Sequence, residues 1–175
     1  MGLDMYLYKK MYVGNDYKEP KDQVKIEVEG VKQERVSEIV EKVGYWRKAN
    51  QIHNWFINNC TENGEDDCKE MYVDREQLEE LLKTVNLVLN STKLVKGKIH
   101  NGTRYENGKT IEVYEDGLIM ENDKIAKELL PTQEGFFFGS NDYDQYYYED
   151  LKTTKKLLEE VLKETDGDFY YQASW

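Results

Sequence analysis

The chain opens on alternation. In residues 2–8, Leu3, Met5 and Leu7 fall on one side and Asp4, Tyr6 and Tyr8 on the other, the period of two that marks a strand. Tyr6 and Tyr8 can each bury a ring, so both faces of this strand can be covered. Residues 14–23 are polar, carry Gly14 and Pro20, and read as a loop. Val24 to Val28 reads as a short strand ended by Gly30, and Val31 to Val43 is ambiguous, with helix one reading. The period then lengthens. Tyr45, Ala49, Ile52 and Phe56 recur at i, i+4, i+7 and i+11, so a helix is expected over 45–59. Trp46, Asn50 and His53 form its second flank, one turn apart, while Arg47, Gln51 and Asn54 lie mostly away from the stripe. Residues 60–70 are acidic, contain Asn63-Gly64, and read as an exposed loop.

Asp74-Arg-Glu-Gln77 resembles a capping box. Leu78, Leu81, Leu82, Val85 and Leu89 then supply the stripe of the clearest helix. Residues 91–122 interrupt this pattern and read as a β-hairpin insertion, with tight turns expected at Asp116-Gly117 and at Asn107-Gly108. Lys93, Lys96, Lys98, Arg104 and Lys109 make it locally basic. Asp123 to Leu130 forms a short helix stopped by Pro131. Gly135-Phe-Phe-Phe-Gly139 reads as a strand buried on both faces. Helix resumes near Tyr146 and runs to Glu164, with Leu151, Leu158, Val161 and Leu162 inward. Gly167 ends it before a last strand, Asp168 to Trp175. No internal repeat or linker divides residues 1–175. The expectation is a single α+β domain, an antiparallel or mixed sheet packed against about three main helices, with a hairpin insertion near 91–122.

Composition changes this picture in three ways. The 39% apolar fraction is low, but 14 tyrosines supply rings that can be buried with their hydroxyls wet or bonded. The net charge of −11 speaks against general nucleic-acid binding, which needs cations to displace phosphate counterions. No run approaches the roughly 20 apolar residues of a membrane span, and the alternating N-terminus is unlike a signal peptide, so a cytoplasmic setting is expected. There, Cys60 and Cys68 are expected as free thiols. With His53 and His100 they make four zinc ligands on paper, but the seven-residue gap between the cysteines lacks the tight pair of a structural site.

The chain contains no P-loop, dinucleotide-binding glycine pattern, nucleophile elbow or metalloprotease helix. Catalytic residues, metal ligands and cofactors are therefore not assigned. Two segments carry chemistry. Residues 46–53 offer Trp46, Arg47, Lys48, Asn50 and His53: a ring, a planar fork for phosphate or carboxylate, a point charge and polar partners. Residues 140–147 offer Asn141, Tyr143, Asp144, Tyr146 and Tyr147, in which Asn141, Asp142 and Asp144 read as an Asx-rich turn capping the next helix before they read as a cation site. Aromatic walls, Asn and Asp acceptors and a few cations suit a nucleotide-like ligand. Contacts are expected from Trp46, Arg47, Asn50, His53, Asn141, Tyr143 and Asp144.

Met1-Gly-Leu-Asp-Met-Tyr-Leu7, Tyr45-Trp-Arg-Lys-Ala-Asn50, His53-x-Trp55-Phe56 and the Leu129–Tyr147 segment together resemble a family of small, uncharacterised proteins of bacteriophages and prophages. The resemblance implies a phage accessory protein in a bacterial cytoplasm and supplies no catalytic residue. Three functions follow as expectations. The first is sequestration of a small nucleotide-like host signal without turnover. The second is direct inhibition of a host defence protein through the acidic surface, Glu65, Asp66 and Asp67 included. The third is an enzyme acting on a nucleotide or phosphate ester. Assembly as a homo-oligomer is compatible with each.

Overall fold

The computed structural model describes residues 2–61 and 64–175, so Met1 and the Asn63 half of the expected Asn63-Gly64 turn lie outside the described residues. Strand β1, Asp4–Tyr12, follows the alternation that starts the chain: Leu3, Met5 and Leu7 are fully buried while Tyr6 and Tyr8 are half-buried on the other face. It pairs antiparallel with β2, Glu38–Arg47, on one side and with the last strand, Asp168–Ser174, on the other. A short strand β3, Met71–Val73, completes the sheet against that last strand. With β4, Leu94–Glu106, and β5, Lys109–Met120, forming a separate hairpin, the last strand is β6, and the sheet order is β2-β1-β6-β3.

Helices α1, Asn50–Cys60, α2, Arg75–Ser91, and α4, Gln145–Val161, pack with a short α3, Lys124–Leu129, over one face of the sheet. The capping box at Asp74 is present: its carboxylate accepts from Gln77 N–H, and the Gln77 side chain accepts from Asp74 N–H. Leu78, Leu81 and Val85 of α2 meet Leu151, Leu158 and Val161 of α4 in one core with Phe56, Phe169 and Tyr171. The result is a mixed α+β domain. Among the described residues, no helix is long and apolar enough to cross a membrane.

Four local expectations are corrected. Val24 to Val28 is not a strand. The Asn15 side chain takes the place of a neighbouring strand, donating to Val24 C=O and accepting from Val24 N–H at 2.9 Å each. The ambiguous run before Val43 leads into β2, and this strand continues through Tyr45, Trp46 and Arg47, so α1 starts only at Asn50. Lys48 makes the break, at φ 60°, where a side chain is rarely tolerated. The hairpin turns at Asn107-Gly108, both with positive φ, whereas Asp116-Gly117 lies inside β5. Two of its lysines face carboxylates across the ladder, Lys109 opposite Glu106 and Lys98 opposite Asp116 at 2.7 Å. The residues of β4 and β5 carry Lys96, Lys98, Arg104 and Lys109 against Glu106, Glu112, Glu115 and Asp116, so the hairpin is neutral and not basic.

The fourth correction concerns Gly135 to Gly139. This segment is a turn, with Phe138 N–H bonded to Gly135 C=O. Phe137 sits at φ 71° and Gly139 at φ 104°. Phe136 is 83% exposed and Phe137 about half so, and of the three only Phe138 enters the core, edge-on to His53. The continuous apolar run signals a surface feature here, not a doubly covered strand.

Candidate functional site

The two chemistry-bearing segments meet. Lys48 and Arg47 at the β2–α1 junction, Gln51 in the first turn of α1, the Gly139–Asp144 turn and the first turns of α4 enclose a cleft of about 360 Å³. Each wall has a local cause. Lys48 N–H donates to Leu3 C=O at 2.8 Å, which pins the strained junction to the start of β1. Gly139 lies so near Lys48 that an added Cβ would stand 3.0 Å from the Lys48 carbonyl oxygen. Only a glycine lets the two segments close to this distance.

Asn50 is the hub behind the cleft and is almost fully buried. Its amide donates to Ser140 C=O at 2.8 Å and Phe138 C=O at 3.3 Å, and its oxygen accepts from Gln133 N–H at 3.0 Å. Three backbone groups of an irregular segment thus find partners in one side chain. Asp144 plays the matching part at α4. Its carboxylate accepts from Tyr146 N–H and Tyr147 N–H, the N-cap expected of an Asx turn. Burial nevertheless raises its pKa against those two bonds.

The residues expected at a ligand separate into four groups. Arg47 lines the cleft with its side chain 61% exposed, and Asp144 lines it while capping α4. Trp46 and His53 belong to the core. Trp46 donates its indole N–H to the Thr154 hydroxyl at 2.8 Å, and His53 is fully buried, with Nδ1 2.8 Å from the Tyr171 hydroxyl. His53 Nε2 comes within 3.2 Å of Asp66, off the line of a good hydrogen bond. Asn50 shapes the site from behind. Tyr143 turns away: its ring lies on Tyr147, its hydroxyl accepts from Thr132 N–H, and it borders a smaller hollow of about 210 Å³ at the hairpin base. Asn141 is exposed beside it and meets the Thr132 hydroxyl only through its carbonyl, at 3.4 Å.

Sequence reasoning missed Gln51 and Asp150. Gln51 donates to Asp150 across the cleft at 3.2 Å, and burial pushes the Asp150 carboxyl up to about 6 despite that bond. The signal was present: Asp150 follows Tyr147 by three positions, inside the stripe that Leu151, Thr154 and Leu158 continue. A carboxylate in a buried stripe is a candidate for function. Tyr146 is 59% exposed on the same wall, and Tyr147 is buried with its hydroxyl on Leu130 C=O.

The cleft therefore gathers two cations, Arg47 and Lys48, with three carboxylates, Asp142, Asp144 and the half-buried Asp150, an amide and an exposed ring. It can bind an anion on one wall and a flat, hydrogen-bonding group on the other. Among the described residues, Ser140 is its one hydroxyl outside tyrosine, with Oγ 3.1 Å from Asp142, and no histidine or cysteine lines it. Cys60 and Cys68 are free thiols elsewhere, the first pushed up to about 12 by burial. Among the described residues, no group of three or more His, Cys, Asp or Glu is placed to hold a metal ion. In comparisons with protein-family models, curated proteins and solved structures, nothing matched the chain.

Proposed function

We propose that this protein binds a small nucleotide-like ligand in the cleft without turnover, as a phage accessory protein withdrawing a signalling nucleotide in the cytoplasm of its host. One observation carries the reading: Arg47 and Lys48 from the β2–α1 junction line the same cleft as Tyr146 and the half-buried Asp150 from α4. The cations suit a phosphate, the ring a base, and the carboxylate with Gln51 the N–H edge of that base. The phage setting rests on the resemblance of the Met1–Leu7, Tyr45–Asn50 and Leu129–Tyr147 segments, and the second and third of these build the cleft. Calorimetry against cyclic nucleotides and ADP-ribose derivatives is the test. Arg47→Ala should weaken the best ligand by about tenfold or more, the loss of a charge-assisted pair. A folded protein that gives no binding heat up to millimolar ligand would remove the idea.

A direct protein contact is the second reading, and the surface that favours it is not the acidic loop. Asp66 is nearly buried, accepting from Cys68 N–H and from the Trp175 indole. Phe136 and Phe137, packed together at 4.1 Å and exposed beside the cleft, are the better anchor. Phe136→Asp should abolish capture of such a partner and leave nucleotide binding intact.

A further inference from the structure

The cleft is mixed in charge, and its carboxylates are not equivalent. Asp144 is engaged by Tyr146 N–H and Tyr147 N–H, and Asp142 accepts from the Ser140 hydroxyl at 3.1 Å. Asp150 receives a single side-chain hydrogen bond among the described residues, from Gln51 Nε2 to Oδ2 at 3.2 Å, and its second oxygen has no protein partner. The cations are equally free. Arg47 comes only to 4.0 Å from Asp4, and Lys48 pairs with no carboxylate among the described residues. A bare anion in this cleft would leave Asp150 unanswered, and a bare cation would leave Arg47 and Lys48. The ligand that suits both carries an anionic group and N–H donors.

The fold holds the Gln51–Asp150 pair in place. Gln51 is only 2% exposed although it lines the cleft. Its amide has one workable orientation, since the reverse would set its oxygen against the carboxylate. In that orientation the Gln51 oxygen has no protein partner either. An ionised carboxylate accepts at about four sites and donates at none, and Gln51 takes one of them. Toward a ligand the pair is therefore chiefly a set of acceptors. Tyr146 precedes Asp150 by four residues in α4, so the exposed ring and the carboxylate share one helix face, about 5–6 Å apart at Cβ. A flat base lying on that ring has an edge within reach of Asp150.

Among the bases, guanine matches this set of acceptors. Its N1–H and its amino group are adjacent donors, and one carboxylate takes both in parallel. Adenine and cytosine set a ring-nitrogen acceptor beside the amino group, and uracil flanks its N–H with two carbonyls, so each would turn a lone pair on Asp150. We propose that the cleft selects a guanine nucleotide, with Asp150 accepting from the N1–H and amino group of the base, Tyr146 against its face, and Arg47 and Lys48 on its phosphate. The inference rests on the reading of the cleft as a nucleotide site and names the base. Gln51 is a positioning residue, since it holds the carboxylate from behind. At about 360 Å³ the cleft lies at the small end of ligand sites, about 300–1,000 Å³, so it takes one nucleotide. ADP-ribose derivatives, which carry adenine, bind it more weakly than cyclic nucleotides that carry guanine.

The test is calorimetry at neutral pH with cyclic GMP, cyclic AMP and cyclic IMP, the last lacking the amino group. Cyclic GMP should bind at least about tenfold more tightly than cyclic AMP, with cyclic IMP between them. Asp150→Asn, its folding checked by circular dichroism, should cost cyclic GMP about tenfold and leave cyclic AMP nearly unchanged. Arg47→Ala should weaken both alike. Burial holds the Asp150 carboxyl at about 6, with Asp144 and Glu149 adding to the rise, Gln51 opposing it, and Arg47, Lys48 and Asp142 in the same cleft. Guanine needs the ionised form, so cyclic GMP affinity should fall about tenfold from pH 7 to pH 5, while that of cyclic AMP should hold. Cyclic AMP as tight as cyclic GMP, with both weakened by Arg47→Ala, overturns the choice of base and spares the cleft. A cyclic GMP preference that survives Asp150→Asn and ignores pH removes Asp150 as its reader and overturns the proposal. Displacement of cyclic GMP by equal arginine or glutamate assigns the charges to a zwitterion and overturns it as well. No binding of any of the three to folded protein overturns the nucleotide reading and this inference with it.

Discussion

At the residue scale, the side chain that most decides the site never touches its open volume. Asn50 satisfies Gln133 N–H, Phe138 C=O and Ser140 C=O from a position almost without exposure. Removing one partner of a buried hydrogen bond exacts the desolvation of the group left behind, about 1–3 kcal/mol each, although the turn can relax toward water. Asn50→Ala should therefore destabilise the protein by about 2–4 kcal/mol, speed amide exchange across residues 132–141 and weaken any cleft ligand. Asn50→Asp supplies an acceptor but no donors, and sets a carboxylate against two carbonyl oxygens, so it should not rescue. If residues 132–141 exchange unchanged in Asn50→Ala, the hub does not hold the turn. His53 teaches the complementary lesson: a histidine one turn from a Trp and an Asn reads as a ligand contact, yet it stands in the core between Tyr171 and Asp66.

At the scale of elements, what was legible followed the strength of local signals. Helices α2 and α4 have both a stripe and a cap, Asp74 and Asp144, and the hairpin has Asn107-Gly108, so they were readable. The start of α1 was not. Tyr45 mimics the stripe of Ala49, Ile52 and Phe56, although it belongs to a strand, and only the φ of Lys48 separates them. Phe136-Phe137-Phe138 was misread because burial is tertiary: Asn50 turns the chain there, and two rings swing outward. Arg47, Lys48 and the tyrosines of the site were visible as types, while Asp150 hid beside a buried stripe and Gln51, expected away from the stripe of its helix, is buried against α4. The hairpin carries its own prediction. Beyond His100 and Tyr114 its two strands are exposed with no third neighbour, a ribbon that is marginal in water. Hydrogen exchange should find residues 101–112 unprotected. Joining His100 to Tyr114 through a two-residue Asn-Gly turn should change global stability by less than about 0.5 kcal/mol and leave cleft binding unaltered. Loss of binding on that deletion would show that the arm belongs to the site.

At the scale of the whole molecule, two buried titrating groups set opposed pH limits on stability. His53 has its pKa lowered by burial, with Asp66 opposing the shift. As pH falls from about 6.5, the ordinary value, the unfolded chain takes up a proton that the folded chain refuses, and stability is lost. Asp150 has the reverse sign. Its pKa is raised from 3.8 to about 6 by burial, so its contribution is intact below pH 3.8 and is lost as pH rises through 6. At neutral pH the protein therefore holds an ionised acid in a half-buried wall, in a chain already at −11. Asp150→Asn keeps an oxygen for Gln51 and removes that charge. It should raise stability at pH 7 by about 1–2 kcal/mol, less than the full shift because water reaches the cleft, and the gain should vanish near pH 4, where both side chains are neutral. Denaturant titrations of both proteins between pH 4 and 8 would measure it, with a pH-independent difference as the result that defeats the argument. The same substitution should weaken a cleft ligand by about tenfold, the loss of one charge-assisted acceptor. Lower stability at neutral pH from Asp150, together with weaker ligand binding on its replacement, would be the signature of a side chain that serves binding at the expense of the fold.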